Sequence, residues 1–315
     1  MTTTVHLKEI KEALKTVNPI QEIEEGFVAY SQGKVVVPPI GELILNETRG
    51  EVHIKYGYIQ GDDYYLIKIA SGFYDNPKIG LPSGDGLMLL FSQKTGELIS
   101  ILIDRAFLTN VRTAAAGAVA AKYLAPKNVY RIGIVGAGIQ GRMQLEYLKF
   151  VLDCREAIVW GLNEQELDAY KKDMEPLGFR IQTTLKAEAV ASSCNLIVTC
   201  TPSKKPLLFA HQIRKGTHIS AIGSDTPEKQ ELDAAILKKA DRIVVDSINQ
   251  CLQRGECFQA MKAGMIHRED MVELGAVIQR KELQRSSEDE TTVADLTGVA
   301  VQDIQIAKAV WKALA

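Results

Sequence analysis

A glycine-rich segment in the middle of the chain constrains the fold more than any other feature of the sequence. In RIGIVGAGIQGR, the residues Gly136, Gly138 and Gly141 directly follow an apolar run and precede a run with helical spacing. This spacing is typical of dinucleotide-binding turns: the first glycine makes the tight turn, the second admits the pyrophosphate, and the third packs helix against strand. A tight turn without a ligand is the alternative, and the strand–turn–helix context favours the dinucleotide.

The sequence around this turn alternates apolar and helical segments. The apolar runs YRIGIV, AIVWG, LIVTCT, THISAI and RIVVD follow one another between residues 130 and 246. Continuously apolar strands that alternate with helices are typical of a parallel sheet covered on both faces. We therefore predict an α/β fold class, with a Rossmann-type dinucleotide-binding domain at residues 125–295.

The sequence on either side of that domain has a different texture. Residues 7–32 have helical spacing, and residues 35–103 consist of short β-type runs separated by turn signals. An Ala- and Gly-rich helix is expected at residues 109–124, and the last segment has its apolar residues on one helical stripe. We predict that residues 1–124 together with 296–315 form a second, α+β domain.

Composition and charge argue against several classes of function. The chain of 315 residues has a formal net charge of -2, which disfavours a nucleic-acid partner. No apolar run approaches the ~20 residues that a membrane span needs, and the first residues lack the pattern of a signal peptide. The 5 cysteines show no CxxC spacing, so reduced thiols are expected rather than disulfides or a metal site. These features predict a cytoplasmic protein without a membrane or nucleic-acid partner.

The identity of the dinucleotide depends on the residues that follow the second strand. The residue that binds the ribose is expected about 20 residues after the last glycine. After AIVWG come Leu162 and Asn163, which provide neither an aspartate for the ribose hydroxyls nor an arginine for a 2′-phosphate. Asn163 can hydrogen-bond to either group. Leaving the 2′-phosphate of NADP without a cation would cost more binding energy than leaving the ribose hydroxyl of NAD weakly bound. The sequence therefore favours NAD, with NADP as the alternative.

Five segments of the chain, taken together, resemble the ornithine cyclodeaminase/mu-crystallin family. They are LTNVRTAAAGAVAAKYLA, GIVGAGIQGR, IVTCTPSKKPLL, GTHISAIGSDTPEKQELDAAIL and DLTGVAVQDIQIAKAVW. The resemblance implies a cyclodeaminase, an alanine or arginine dehydrogenase or a ketimine reductase, all with a nicotinamide cofactor, or a mu-crystallin-like binding protein. It also implies that the α+β domain binds the substrate and forms a homodimer through its sheet.

The resemblance implies roles for three charged residues. Asp225 corresponds to the family's catalytic aspartate, which would hold a substrate ammonium or pass a proton to an imine nitrogen. Lys68, also expected to be catalytic, and Arg112 correspond to the ligands of the α-carboxylate, which the planar guanidinium suits. Considered without the resemblance, Asp225 equally suits a helix N-cap, Lys68 a solvated strand face, and Arg112 an exposed surface.

Cofactor contacts are implied at the glycine-rich turn and at several further positions. The expected cofactor-binding residues are Gly136, Ala137, Gly138, Ile139, Gln140, Gly141, Asn163, Thr113, Thr201, Ser203, Gly223 and Val299. Thr113 would contact a phosphate, and Thr201 and Ser203 would line the groove. Val299 would pack near the nicotinamide ring. A polar loop without this role is the alternative for Ser203, and a core valine is the alternative for Val299.

The chain departs from the family pattern at Gly41, where many relatives carry an arginine that binds the substrate carboxylate. In EVHIKYGY, the alternation places His53 and Lys55 on one face of a predicted strand together with Glu51. His53 or Lys55 would then either replace the missing arginine or bind a second acidic group of the substrate. The alternative is a solvated, charged strand face.

The expected partner is therefore a small imino or amino acid. We expect an NAD(P)H-dependent reductase or dehydrogenase that acts on the C–N bond of this substrate. Cations in addition to Lys68 and Arg112 favour a dicarboxylic imine such as iminosuccinate, which would give aspartate, because unpaired buried cations are costly. A cyclodeaminase that uses NAD+ catalytically and a hormone-binding protein are the alternatives.

Overall fold

The computed structural model describes residues 2–73 and 75–314. Within this part of the chain, the residues cluster into two compact units, Met1–Arg112 with Val299–Ala315 and Thr113–Gly298. The sequence pattern predicts the first boundary after residue 124, whereas the structure has it inside the helix Phe107–Leu124. The reason is that the later part of this helix packs with the second unit, where the Thr292 hydroxyl donates to the Leu124 carbonyl at 3.0 Å.

Short strands occur along the whole chain. They are β1 (Thr3–His6), β2 (Val35–Val36), β3 (Gly41–Leu45), β4 (Gly50–Ile59), β5 (Tyr64–Phe73), β6 (Gly84–Ser92), β7 (Leu98–Ile103), β8 (Ile132–Val135), β9 (Glu156–Trp160), β10 (Arg180–Thr184), β11 (Leu196–Thr199), β12 (Lys204–Leu208), β13 (His218–Ala221), β14 (Gln230–Leu232), β15 (Arg242–Val245), β16 (Met271–Glu273) and β17 (Thr292–Asp295).

The helices separate these strands. They are α1 (Leu7–Leu14), α2 (Pro19–Ser31), α3 (Phe107–Leu124), α4 (Ile139–Leu148), α5 (Glu164–Met174), α6 (Ala187–Ser193), α7 (Ala234–Lys239), α8 (Ile248–Cys251), α9 (Gly255–Lys262), α10 (Leu274–Gln279) and α11 (Val301–Leu314). None of these described helices is long and apolar enough to cross a membrane.

The first unit is built on a mixed sheet, which has seven strands in the described residues. Its order is β1-β7-β6-β5-β4-β2, with β3 also paired to β4, and the strands are antiparallel except for the parallel pair of β1 and β7. One face buries Leu66, Met88 and Leu102 completely, and α11 packs against β4, β5 and β6 of the sheet. The strand β1 was not expected, because its TTVH sequence lies directly before the helical spacing of α1.

The second unit is a Rossmann-type α/β fold. Its main sheet has the order β10-β9-β8-β11-β13-β17-β15-β16, and the pairings among these described strands are parallel. The strand order reverses between β8 and β11, because the chain builds the sheet outward from β8 in one direction and from β11 in the other. Ligands of doubly wound sheets bind at the carboxyl ends of the strands at such a reversal. A ligand is therefore expected at the loops that follow β8 and β11.

Candidate active site

The glycine-rich turn joins β8 to α4. Gly136 has a φ of +120°, which other residues rarely adopt, and a Cβ on Gly141 would lie 2.0 Å from the Gly136 carbonyl oxygen. A Cβ on Gly138 would meet no described atom within 4 Å, so this side of the turn is open. Gly138 is also the N-cap of α4 and has no side chain to cap it. The first N–H groups of α4 are therefore available to an anion such as a pyrophosphate.

A cavity of about 530 Å³ lies against this turn. Its lining comes from the turn itself, from the residues that follow β9 and from those that follow β11: Gly136, Ala137, Gly138, Arg142, Trp160, Gly161, Leu162, Glu166, Ala169, Cys200, Thr201, Pro202, Ser203 and Leu207. Thr201 and Ser203, expected in the cofactor groove, thus lie in its wall. Ile139 and Gln140 open the adjoining helix α4. A helix N-terminus next to an apolar slot of this size fits a dinucleotide.

The residues after β9 serve partly as a helix cap. Asn163 is the N-cap of α5, and its side-chain oxygen accepts a hydrogen bond from the Glu166 N–H at 2.9 Å. An arginine does reach this cavity, although not from the position after β9. Arg142 in α4 pairs with Asp173 at 2.8 Å and stacks 4.9 Å from the ring centroid of Tyr170. Its charge is therefore already balanced by a carboxylate of the same unit.

A cluster of buried charges in the first unit includes both predicted carboxylate ligands. The Lys68 ammonium lies 3.1 Å from Asp303 Oδ1, and the Arg112 Nε lies 2.9 Å from the same oxygen. Arg112 also donates to the Gln302 side chain at 3.1 Å. All three charged residues are buried, and the second oxygen of Asp303 has no hydrogen-bond partner among the described residues. We call Lys68, Arg112 and Asp303 the charged cluster.

Burial and mutual attraction act against each other in this cluster. Burial lowers the pKa of Lys68 to about 8, and the negative charge of Asp303 opposes this effect. Burial alone would raise the pKa of Asp303, but the charges of Arg112 and Lys68 outweigh it and hold the pKa below its usual value. Asp303 is therefore ionised at neutral pH, and Lys68 loses its proton in mildly alkaline solution.

His53 and Lys55 differ in their surroundings, although both lie on β4. Lys55 pairs directly with Lys68 across β4 and β5, so both side chains lie on the same sheet face, and Lys55 is 6% exposed. Its charge also lowers the pKa of Asp303. His53 instead lies 3.3 Å from Glu42 and 3.6 Å from Glu51. The structure thus brings Lys55 to the charged cluster and leaves His53 between two carboxylates.

Asp225 lies in the loop that follows β13 of the second unit. Its Oδ1 accepts a hydrogen bond from the Lys229 ammonium at 2.7 Å, and its backbone carbonyl accepts one from Arg254 at 3.2 Å. The Asp225 side chain is 39% exposed, whereas that of Lys229 is 9% exposed. The N-cap alternative does not hold, because α7 begins later and its cap is Asp233, whose side chain accepts from the Ala235 N–H.

The remaining predicted contacts lie in ordinary packed surroundings. Gly223 follows β13, and a Cβ there would lie 2.2 Å from the Thr201 carbonyl oxygen. The Thr113 carbonyl accepts a hydrogen bond from Gln144 at 3.0 Å. Val299 is 1% exposed just before α11. Burial raises the pKa of the Cys200 thiol well above its usual value, which favours the protonated thiol.

Sequence reasoning missed Asp303, Lys229 and Arg142. Asp303 lies in VAVQDIQIA, where three polar residues interrupt an apolar run, and that interruption is a usable signal. Lys229 lies four residues after Asp225, a spacing that carries no signal outside a helix. Arg142 directly follows the third glycine of the turn, whereas a phosphate partner was sought only after β9.

The sequence profile of the ornithine cyclodeaminase/mu-crystallin family matches residues 1–315. The chain belongs to this family. It is 42% identical over 287 residues to a protein of Sinorhizobium fredii named as an uncharacterized cyclodeaminase, covering 90% of this chain and 87% of the relative.

Two solved structures of family relatives resemble the whole chain. One is an archaeal alanine dehydrogenase dimer with bound NAD, at 36% identity and a TM-score of 0.89, covering 99% of this chain and 95% of that one. The other is the iminosuccinate reductase of Paracoccus denitrificans in complex with NAD+, at 30% identity and a TM-score of 0.89, covering 99% and 96%. The fold of this chain is thus the fold of amino- and imino-acid oxidoreductases.

Proposed function

We propose that this protein is an NAD-dependent oxidoreductase that acts on the C–N bond of a small imino or amino acid. The proposal rests mainly on the charged cluster, in which the buried side chains of Lys68 and Arg112 share the buried carboxylate of Asp303. A binding protein for a neutral aromatic ligand has no use for such a cluster. The glycine-rich turn and its cavity, and the two NAD-bound relatives, support the cofactor.

The cluster suits the α-carboxylate of the substrate. Arg112 offers a planar fork for two parallel hydrogen bonds, and Lys68 offers a point charge. Asp303 holds both side chains before the substrate binds, so little reorganisation is needed when the carboxylate arrives. A bound nicotinamide would supply or accept the hydride, while these residues hold and orient the carboxylate.

Asp225 handles the substrate nitrogen. Its carboxylate already accepts a hydrogen bond from Lys229, so it is an acceptor in the structure, and its side chain is partly exposed. A protonated imine or amine would donate a further hydrogen bond to it. In that position Asp225 holds the nitrogen and takes or returns its proton.

A dicarboxylic imine is the substrate that the cluster favours. Lys55 adds a third buried cation on the face that carries Lys68, beyond the two that one carboxylate needs. A second carboxylate on the substrate would be complementary to the positive charge that Lys55, Lys68 and Arg112 concentrate in this unit. The likeness to the iminosuccinate reductase points to the same substrate class, with aspartate as the product.

The test compares two 2-oxo acids with ammonia in the parent, Lys55→Met and Lys55→Arg proteins. We expect Lys55→Met to lower kcat/KM for oxaloacetate about ten- to hundredfold, the effect of one lost charged hydrogen bond, and to change pyruvate little. Lys55→Arg keeps the charge and should retain most of the oxaloacetate activity. If kcat/KM is equal for pyruvate and oxaloacetate and does not change in Lys55→Met, the proposed dicarboxylic substrate is contradicted. If no 2-oxo acid supports NADH oxidation, the proposed reductase activity is contradicted.

A cyclodeaminase is the second candidate, because the relative with 42% identity carries that name. Such an enzyme would use the same cluster and Asp225, so the residues alone do not separate the two reactions. The cofactor balance does. Formation of proline from ornithine or of pipecolate from lysine, without net production of NADH, would favour the cyclodeaminase over the reductase.

A further inference from the structure

One buried carboxylate joins the loops that follow β11 and β13. Glu231 lies on β14 and is fully buried. Its Oε1 accepts a hydrogen bond from the Thr201 N–H at 2.6 Å, and its Oε2 accepts one from the Gly223 N–H at 2.9 Å. The two oxygens of a single carboxylate thus hold two separate loops at a fixed spacing.

Each of these loops leads to a part of the proposed site. Thr201 lines the cavity beside the glycine-rich turn, and Gly223 lies two residues before Asp225. We infer that Glu231 is a positioning residue, which sets the spacing between the wall of the cofactor cavity and the loop that carries Asp225. This inference rests on the proposed use of a dinucleotide.

The packing around Gly223 shows how closely the two loops approach. A Cβ on Gly223 would lie 2.2 Å from the Thr201 carbonyl oxygen and 2.5 Å from Glu231 Oε2. Neither the backbone of the Thr201 loop nor the carboxylate, which is held from both sides, has room to give way. The contact therefore requires glycine at residue 223. The Ile222 and Gly223 N–H groups also donate to the Thr199 carbonyl at 2.8 and 3.2 Å, and Glu231 extends this link from the ends of the strands to Thr201.

A second buried carboxylate fixes the strand that carries Glu231. The backbone N–H groups of Glu231 and Leu232 donate to the two oxygens of Glu256 at 2.7 and 3.1 Å. Glu256 lies on α9 and is 1% exposed. Because these two hydrogen bonds fix the backbone of β14, the position of the Glu231 side chain relative to the two loops is fixed as well.

The charge of Glu231, and not only its size, matters for this role. A carboxylate has two acceptor oxygens and can satisfy both N–H groups, whereas an amide of the same shape has one acceptor and turns a donor toward the other N–H. Burial raises the pKa of Glu231 to about 7, although the hydrogen bonds from Thr201 and Gly223 lower it. Glu231→Gln therefore removes one loop contact while it preserves the volume of the side chain.

The test measures two quantities separately. One is the amide hydrogen exchange of the two loops in the cofactor-free protein, and the other is the affinity of the protein for NADH. In Glu231→Gln we expect faster amide hydrogen exchange at Thr201 and Gly223 in the cofactor-free protein. We also expect the Kd for NADH, followed by its fluorescence, to rise about ten- to hundredfold. The matched control is His218→Gln, which removes a buried polar side chain at the opposite end of β13, where His218 contacts Ser220 and Thr292. It should lose stability without either change.

The inference is overturned if exchange at both amides and the Kd for NADH match the parent, or if His218→Gln shows the same changes. It is also overturned if exchange accelerates and the Kd stays unchanged. Should Glu231→Gln fail to fold, Gly223→Ala separates the same loops by its Cβ and is expected to give the same two changes. If the parent binds no NADH, the proposed function fails, and the exchange rates alone decide whether Glu231 holds the loops.

Discussion

At the scale of single residues, buried titratable groups in this protein serve two different purposes. His218 is fully buried, and burial lowers its pKa to about 3, so it is neutral at physiological pH. Its two ring nitrogens bond to Thr292 and Ser220 at 2.8 and 3.0 Å, which explains the residue as part of the core. Lys68 is equally buried but keeps a charge at neutral pH beside Asp303. Such an arrangement is costly for folding, and we propose that it serves ligand binding.

The pKa of Lys68 leads to a prediction about pH. Because burial lowers this pKa to about 8, Lys68 becomes neutral as the pH rises through that value. We expect the affinity for a non-reacting carboxylate such as succinate, measured with NADH present, to fall above pH 8 by up to about tenfold per pH unit. Lys68→Arg is the control, since arginine stays charged and should remove the alkaline decline.

If the affinity of Lys68→Arg still declines at alkaline pH, another group is titrating.

The contribution of Lys68 to the stability of the fold should have the opposite pH dependence. The pKa of Lys68 in the folded protein lies below the value of 10.5 for a free side chain, so the unfolded chain binds more protons between these values. The contribution of Lys68 to the free energy of unfolding therefore rises with pH across that interval.

At the scale of elements, the helix α11 shows why Asp303 was missed. The sequence predicts an amphipathic helix with Ile304, Ala307, Trp311 and Leu314 on its buried stripe. In the structure the helix is buried on nearly all sides as far as Val310, whereas Leu314 is 39% exposed. A helix surrounded by packing buries polar side chains as well, and this is how Asp303 reaches the sheet face that carries Lys68.

The helix α4 allows a sharp test of the cofactor site. Gly138 is its N-cap in an extended conformation, and a Cβ there meets no described atom within 4 Å. Aspartate is a preferred N-cap, so Gly138→Asp should fold and be as stable as the parent. Its negative charge would occupy the place of the pyrophosphate. We therefore expect the thermal stabilisation by saturating NADH, about 2.7 kcal/mol at 100 times the Kd, to disappear.

Gly138→Ala is the matched variant, because it adds a Cβ without a charge. It should weaken the response to NADH less than Gly138→Asp does. A Gly138→Asp protein that is still stabilised by NADH to the same extent would place the dinucleotide elsewhere. A loss of stability without NADH would show that the substitution disturbs the turn itself.

At the scale of the whole molecule, we propose a homodimer formed through the sheet of the first unit. The face opposite the charged cluster carries Tyr56 and Tyr58, exposed by 39% and 36%, and the stacked rings of Tyr65 and Phe91, whose centroids are 4.8 Å apart. A contiguous aromatic face of this kind marks a protein interface. The related alanine dehydrogenase is described as a dimer.

A charge in the centre of this face should separate the subunits. Ile67 pairs with Tyr56 across β4 and β5, so its side chain lies on the same face. We expect Ile67→Lys to sediment as a monomer while the parent sediments as a dimer, because an unpaired buried charge is costly. Tyr130→Lys, at a residue 48% exposed in the second unit, is the control and should stay dimeric. A monomeric parent, or a dimeric Ile67→Lys protein, contradicts the proposed interface.

The Rossmann-type unit and the main helices and strands could be predicted from local patterns of residues. The glycine-rich turn is a local pattern. Its glycines are required by the backbone conformation and by close contacts with residues nearby in the sequence, so the pattern can be read from a short segment. Similarly, the apolar runs predicted β8, β9, β11, β13 and β15, because continuous burial leaves a continuous signature. The short or polar strands β10, β16 and β17 were not predicted, since their pairing depends on neighbours in the sheet rather than on their own composition.

Local patterns did not predict which charged side chains meet, because these pairs form only in the folded chain. Lys68 and Asp303 are 235 residues apart in the sequence, and Glu231 reaches Thr201 from 30 residues away. Alternation along β4 treats His53 and Lys55 alike, and the register with β5 and β3 separates them, since it places Lys55 opposite Lys68 and His53 opposite Glu42. The physical reason is that a side chain's charge partner is set by strand register and helix packing, and these depend on the whole chain rather than on the residues nearby.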